Sequence, residues 1–572
     1  MSVSVTRVVF CLMAVLATAA AQTAGTASGR DPAGTGATAM AGVEPVDLAA
    51  YAAIRDEGLN HSHAMEFATT LADDFGPRLT GSANLSRANE WARNTLVHLG
   101  SGGAHLEDFG EFGLQWQQIN TWMRMSAPDN MVFVVQAAPW SVSSQGRTEA
   151  EATLANIAGD ADFARYRGKL SGKVVFLGPV RATPMPLEPF AHRLTQQELD
   201  SGVAVERVRH YYQIRPQRLM EIAQRNAFRD RLKAFLEDEH VLAVVLPSAD
   251  GNNGGGTGDL EVDDSGTPGT GSWQIDKRAG FPVVIAAIEH FGRVARLLER
   301  AVPVKVQFDV QTRDERTDSH GYNVVADFPG YDPKLKRQVV LLGAHMDSWS
   351  GGTGATDDGA GVAITLEAAR ILSVLDLRHR RTVRVVLYGG EEEGLLGTVG
   401  YARQHLGELP RSNDPVQQHL IWAWRAPSGQ VRALPGYADL SVAYDIDHGG
   451  GRLRGVYTAG NSALIPIFKQ WIAPLGDLGV SVVVDSPTWP SDQSVYTDLG
   501  LPGIAFVQDP LDYETRSHHT NMDTVERLSP PDLAQAAVVE AIFVLNSANR
   551  DGLLPRATLS EVAPSRRIDH DN

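Results

Sequence analysis

The chain has 572 residues, 43% hydrophobic and 21% charged, with 68 acidic against 51 basic side chains and a formal net charge of -17. That apolar content excludes a wholly disordered chain, and at roughly 150 residues per domain the length suggests two to four domains. The acidity would repel phosphate backbones, so nucleic acid is not an expected partner. The only cysteine is Cys11, which leaves His, Asp and Glu as the metal ligands available to the body of the protein.

In chain order, Arg7 precedes an apolar run over 8–21 that closes on Ala17-Thr18-Ala19-Ala20-Ala21. A basic start, an apolar core and a small-residue end predict a secretory signal peptide over 1–21, too short for a bilayer span of about 20 residues. The product is therefore expected to be secreted or periplasmic, with no membrane partner after cleavage. Residues 22–45 are rich in Ala, Gly and Thr and read as a linker. Helical periodicity follows over 46–59, 63–75 and 84–99, the last with Ala88, Trp91, Ala92, Thr95 and Leu96 on one stripe. Gly76-Pro77-Arg78-Leu79-Thr80-Gly81-Ser82 lies between the second and third as a turn.

Residues 121–312 read as a separate β-rich unit, with short apolar runs at 131–135, 173–177, 241–246 and 281–287. A charged helical insert is expected over 206–236, and Gly251-Asn252-Asn253-Gly254-Gly255-Gly256 as a flexible loop. From 313 to 550 strand patterns (339–343, 383–388, 440–444, 503–507) alternate with helical ones (361–375, 398–406, 465–475, 532–548). That alternation predicts an α/β fold with a mostly parallel, mixed central sheet covered by helices and a ligand site at the carboxyl ends of the strands. Residues 46–120 would form the first part of this domain, and 551–572 a loose tail.

Polar residues gather where these strands end. The first runs into His345-Met346-Asp347, and Asp347 is placed to hold the imidazole of His345 on its far nitrogen. A glycine-rich loop from Gly351 to Gly361 follows. Its spacing would demand glycine at 357 for a dinucleotide fingerprint; Asp357 stands there instead and suits a cation. The next strand ends in Glu391-Glu392-Glu393, whose neighbouring side chains would point apart on an extended chain. The following one ends in Asp445-Ile446-Asp447, and the last in a loop with His518-His519. Asp357, Glu392 and Asp447 with His345 and His519 could hold two zinc ions, each with one imidazole, one private carboxylate and a share of Asp357. H-E-x-x-H and G-x-S-x-G are both absent.

Taken together, His345–Asp347, Gly354–Gly361, Glu391–Gly394 and His519–Thr524 resemble the secreted di-zinc exopeptidase family that includes bacterial aminopeptidases and carboxypeptidase Q. Leu170-Ser171-Gly172-Lys173-Val174-Val175-Phe176 resembles the protease-associated domain that many members carry as an insert. The resemblance implies two zinc ions per chain, metal ligation by His345, Asp357, Glu392, Asp447 and His519, and Glu391 as general base toward water. Asp445 competes with Asp447 for its role. His518 stands where some relatives place a carbonyl-polarising tyrosine. The implied substrates are peptides, attacked at the amino end as the first reading because acids could hold an α-amine and no basic cluster is evident. Carboxypeptidase or dipeptidase action is the runner-up, and a non-catalytic receptor-like ectodomain of the same fold the alternative from another class. Oligomeric state, a homodimer included, is left open.

Overall fold

A computed structural model describes residues 43–179, 187–202, 216–248, 259–263, 266–315, 320–486 and 490–557. The expected signal peptide, nearly all of the linker, the Gly251–Gly256 loop, part of the insert and most of the tail lie outside the described residues.

Strand Val339–His345 is apolar up to Ala344 because both of its faces are covered. Its side chains alternate between two cores. Val340 and Leu342 face helices Ala360–Val374 and Pro530–Asn549, whereas Leu341 faces helices Leu396–His405 and Gln493–Asp498. Strands Thr382–Tyr388, Val339–His345, Leu440–Asp445 and Gly503–Gln508 lie side by side in that order, all parallel. Antiparallel His320–Phe328 and His105–Glu111 extend one edge, and Leu453–Tyr457 with Val482–Val484 the other, making an eight-stranded mixed sheet. The sheet is thus the α/β architecture that the strand–helix alternation implies.

Helix Ala83–His98 opens on Ser82, whose Oγ accepts the Leu85 N–H, and its stripe of Leu85, Ala88, Ala92 and Leu96 packs on Val362 and Leu366. Helix Leu48–Asn60 is capped by Asp47. A second eight-stranded sheet is built from strands within 115–315, with Gln115–Ala127 paired to Lys305–Glu315 and three short parallel pairings at its centre. Helix Pro216–Asp238, at the position of the charged insert, packs Leu232, Phe235 and Leu236 against that sheet's core.

One buried acid makes the core pH-sensitive. Glu540, in the middle of Pro530–Asn549, is 0% exposed, and neither of its oxygens has a hydrogen-bond partner among the described residues. Burial, reinforced by the charge of Asp445, pushes its carboxyl well above the usual range. The unfolded chain ionises near pH 4.3, so stability through this group is whole below that pH. It is lost as pH rises toward the folded value, at about 1.4 kcal/mol per pH unit. Glu540→Gln is expected to melt like the parent near pH 4.5 and progressively above it toward pH 8. Parallel melting curves across that range would show that the carboxyl is not held neutral.

Candidate active site

The carboxyl ends of the four parallel strands converge on one cleft. His345 is the last residue of its strand and is 1% exposed. The chain then loops through Gly354, at φ +64°, where a Cβ would strike Ser348 and Arg78. Two adjacent acids at the next helix divide their tasks. Asp358 accepts the Gly361 N–H at 2.9 Å and the His345 N–H at 3.2 Å, tying helix start to strand end. Asp357 faces the cleft, its loop held by Asp523, which accepts from Thr356 N–H at 2.6 Å, Thr356 Oγ1 at 2.7 Å and Asp357 N–H at 3.2 Å. Helix capping therefore falls to Asp358.

Around Asp357 the separate pieces meet. Its Oδ1 lies 3.3 Å from His345 Nε2 and its Oδ2 3.5 Å from His519 Nε2, so the carboxylate spans the two imidazoles. Asp447 Oδ1 is 3.5 Å from His345 Nε2, and Glu392 Oε2 is 3.1 Å from His519 Nε2. His518 Nε2 is 4.0 Å from Asp357 Oδ2, and its ring stacks on His519 at 3.8 Å between centroids. His345, Asp357 and Asp447 offer ligand atoms within 4.8 Å of one another, as do Asp357, His518 and His519. All five expected ligands are thus neighbours.

Two expectations are corrected, and one alternative falls away. Asp445 belongs to neither group: it points into the protein beneath the cleft, where Oδ2 accepts the Gln493 N–H at 3.4 Å. Glu391 and Glu392 do not sit on a strand end, since the strand stops at Tyr388 and both follow Gly390 in a turn. Asp347 meets His345 Nδ1 with its backbone oxygen at 3.0 Å, the carboxylate standing off at 3.7 Å. That carboxylate instead accepts the N–H groups of Glu391 and Glu392, each at 3.2 Å, and the Thr80 hydroxyl at 3.0 Å. Asp347 therefore orients the acidic turn as well as the histidine.

Crowded acids withdrawn from solvent perturb one another. Burial pushes Glu391 well up, and Asp447, Asp492 and Glu392 push it further against the pull of His345. Burial and Asp357 raise Glu392 to about 8. Burial disfavours charge on His345 and His519, but Asp447 beside the first and Glu392 beside the second outweigh it, raising both. Asp357 is held below the carboxylate range: burial opposes, and the His345 hydrogen bond with the charges of His519 and His518 prevails. Burial and His519 lower His518. Asp357 Oδ2 and Glu392 Oε1 are buried without a hydrogen-bond partner among the described residues. Two orphaned carboxylate oxygens between paired imidazoles fit divalent cations of the zinc type.

Beside this cluster opens a cavity of about 930 Å³. Glu391, Glu392, Asp447, His518 and His519 line its floor, with Trp349, Trp422 and Trp424 on its walls. Arg218, Lys277 and Arg425 also line it, so the fold gathers basic groups that are scattered in the sequence. Sequence reasoning also missed Arg78, Asp523 and Asp263. Arg78 was visible only as part of a turn and Asp523 only as a member of the His519–Thr524 stretch, with no role assigned to it, and no motif marks Asp263.

This fold and site define a parallel-centred α/β protein with a candidate two-site metal centre at its strand ends. Residues 323–544 match the model of peptidase family M28, and the segment carrying the centre belongs to that family. Carboxypeptidase Q of Pongo abelii is 26% identical over 276 residues, 48% of this chain and 52% of that protein, so the match spans about half the length of the curated relative. The structure of a peptidase M28 precursor from Shewanella amazonensis superposes with a TM-score of 0.60 at 23% identity, covering 90% of this chain and 99% of that one. BSAP, a zinc aminopeptidase from Bacillus subtilis, gives 0.52 at 18% identity, covering 88% and 98%. At those identities the two structures speak for the fold.

Proposed function

We propose that this protein is an extracytoplasmic zinc exopeptidase that releases single residues from the amino end of peptides. The observation that carries the proposal is Asp357, with one oxygen 3.3 Å from His345 and the other 3.5 Å from His519, in the floor of a cavity that also presents Glu391. His345 with Asp447 and His519 with Glu392 would hold two zinc ions on the shared Asp357. When bound, such a pair supplies Lewis acidity toward the scissile carbonyl and water. Glu391 takes a proton from the attacking water and returns it to the leaving amine, a task for a carboxylate that faces the cavity beside the two imidazole-plus-carboxylate sets. His518 donates to the carbonyl oxygen as charge builds there. Acids around the cleft receive the substrate's α-ammonium. The signal-peptide pattern supports export.

A second reading, carboxypeptidase or dipeptidase action, is favoured by Arg218, Lys277 and Arg425 on the cavity wall, which suit a terminal carboxylate, and by the likeness to carboxypeptidase Q. One experiment separates them: metal analysis joined to a panel of aminoacyl anilides, dipeptides and amino-terminally blocked peptides. About two zinc ions per chain are expected, one for each imidazole-plus-carboxylate set. Cleavage of free but not blocked substrates supports the aminopeptidase. Blocked peptides cleaved as fast as free ones move the assignment to the carboxyl end, and a protein that binds no divalent metal overturns both.

A further inference from the structure

The second sheet sends a strap into the metal cleft. Residues Asp259–Asp263 run antiparallel beside His519–Asn521, with Glu261 paired to Thr520. Val262 N–H donates to His519 O at 2.7 Å, Asn521 N–H to Leu260 O at 2.9 Å, and Leu260 N–H to Asn521 Oδ1 at 2.7 Å. The strap is anchored at its other face. Leu260 and Val262 are buried in the second sheet's core with Val244 and Leu246, and Ser248 Oγ accepts the Glu261 N–H at 3.0 Å. At its end Asp263 Oδ2 stands 3.4 Å from His519 Nδ1, the ring nitrogen turned away from Glu392 and Asp357.

From this geometry we infer that Asp263 is a positioning residue for His519: it accepts the Nδ1–H, fixes the ring's tautomer and orientation, and leaves the Nε2 lone pair aimed at the metal position. An imidazole can present only one ring nitrogen as an acceptor while neutral, and a partner on the far nitrogen decides which. His345 has such a partner from its own strand end in Asp347, through the backbone oxygen at 3.0 Å. His519 lies on a loop, at φ +59°, and among the described residues Asp263 is the hydrogen-bond partner at its Nδ1. The two imidazoles are thus oriented by different parts of the molecule, and the second sheet completes the centre as well as walling the cavity. The inference rests on the metallopeptidase reading.

The test uses the full chain, stripped of metal and titrated with zinc against a chelator, and separately with cobalt(II) read by its visible absorption. Asp263→Ala is expected to weaken the weaker-held or stronger-held zinc by about 10- to 100-fold, with a changed cobalt spectrum and an unchanged melting temperature of the metal-free protein. Asp263→Asn, which keeps an acceptor oxygen, should fall between Asp263→Ala and the parent. Ser248→Ala, which loosens the strap without touching His519, should leave zinc affinity and the cobalt spectrum unaltered. Zinc affinity and cobalt spectrum matching the parent in both Asp263 variants would overturn the inference while leaving the metallopeptidase reading intact. Equal losses in Ser248→Ala and Asp263→Ala would also overturn it, assigning the effect to the strap's fold. A parent protein that binds neither metal would sink the underlying reading itself.

Discussion

Glu391→Gln is expected to lower kcat by about 10²- to 10⁴-fold on whichever substrate the parent cleaves, with the zinc content unchanged. The exchange keeps size and the backbone N–H that Asp347 Oδ1 accepts at 3.2 Å, so the acidic turn stays in place. Neither imidazole of the metal centre has Glu391 as a close partner; Glu392 and Asp447 fill those positions. What the amide cannot do is accept a proton from water and hand it on. Because the loss concerns a group used as bonds change, kcat should carry it and KM should move little. Steady-state kinetics with metal analysis on the same preparation reads both. Turnover within about three-fold of the parent would place the general base elsewhere and remove Glu391 from the mechanism; the threshold is far below the contribution expected of such a base.

How much of this could be read from the sequence follows from where the information sits. A strand such as Val339–His345 announces itself because apolar residues run unbroken to the point where the sheet leaves the core, and the polar residue that ends the run is also the one delivered to the cleft. His345, Glu392 and Asp447 were legible for that reason, each at or a few residues beyond a strand end, whereas Asp357 and His519 stood out as polar residues within the loops that follow their strands. The preference for Asp447 over Asp445 was less so, since two acids with one residue between them share a face only while the chain stays extended. The strand ends at Asp445, and the turn after it carries Asp447 to His345. The second sheet was legible as β-rich but not in its order, because a strand as short as Val135–Ala137 owes its pairing to a partner far along the chain, at Val284–Ala286. Asp263 and Asp523 were illegible in their roles for a related reason. Each acts on residues more than 160 positions away in the chain, through contacts that leave no periodic trace.

Arg78 shows what such a hidden residue is expected to contribute. Its side chain is fully buried, and its nitrogens donate to Met346 O at 2.7 Å, Thr353 O at 2.8 Å, Gly354 O at 2.8 Å and Leu71 O at 3.5 Å. Burial pulls its pKa down, and the charges of Asp523, Asp347, Asp358 and Asp357 pull it back. One guanidinium therefore gathers both ends of the loop between His345 and Asp357 and neutralises part of the acid excess beneath the metal centre. Arg78→Met keeps the length of the side chain but leaves those carbonyls without donors and the acids without their cation, which should cost about 3–5 kcal/mol of stability. Since the same loop sets where Asp357 stands, zinc affinity should fall as well. Arg78→Lys restores the charge but not the planar fork that reaches four carbonyls at once, so it should recover only part of either property. Chemical denaturation of the metal-free protein and zinc titration of the same variants give the two numbers. If Arg78→Met keeps the parent's denaturation midpoint and zinc affinity, the loop owes its shape to its glycines and to Asp523, and the buried guanidinium is dispensable.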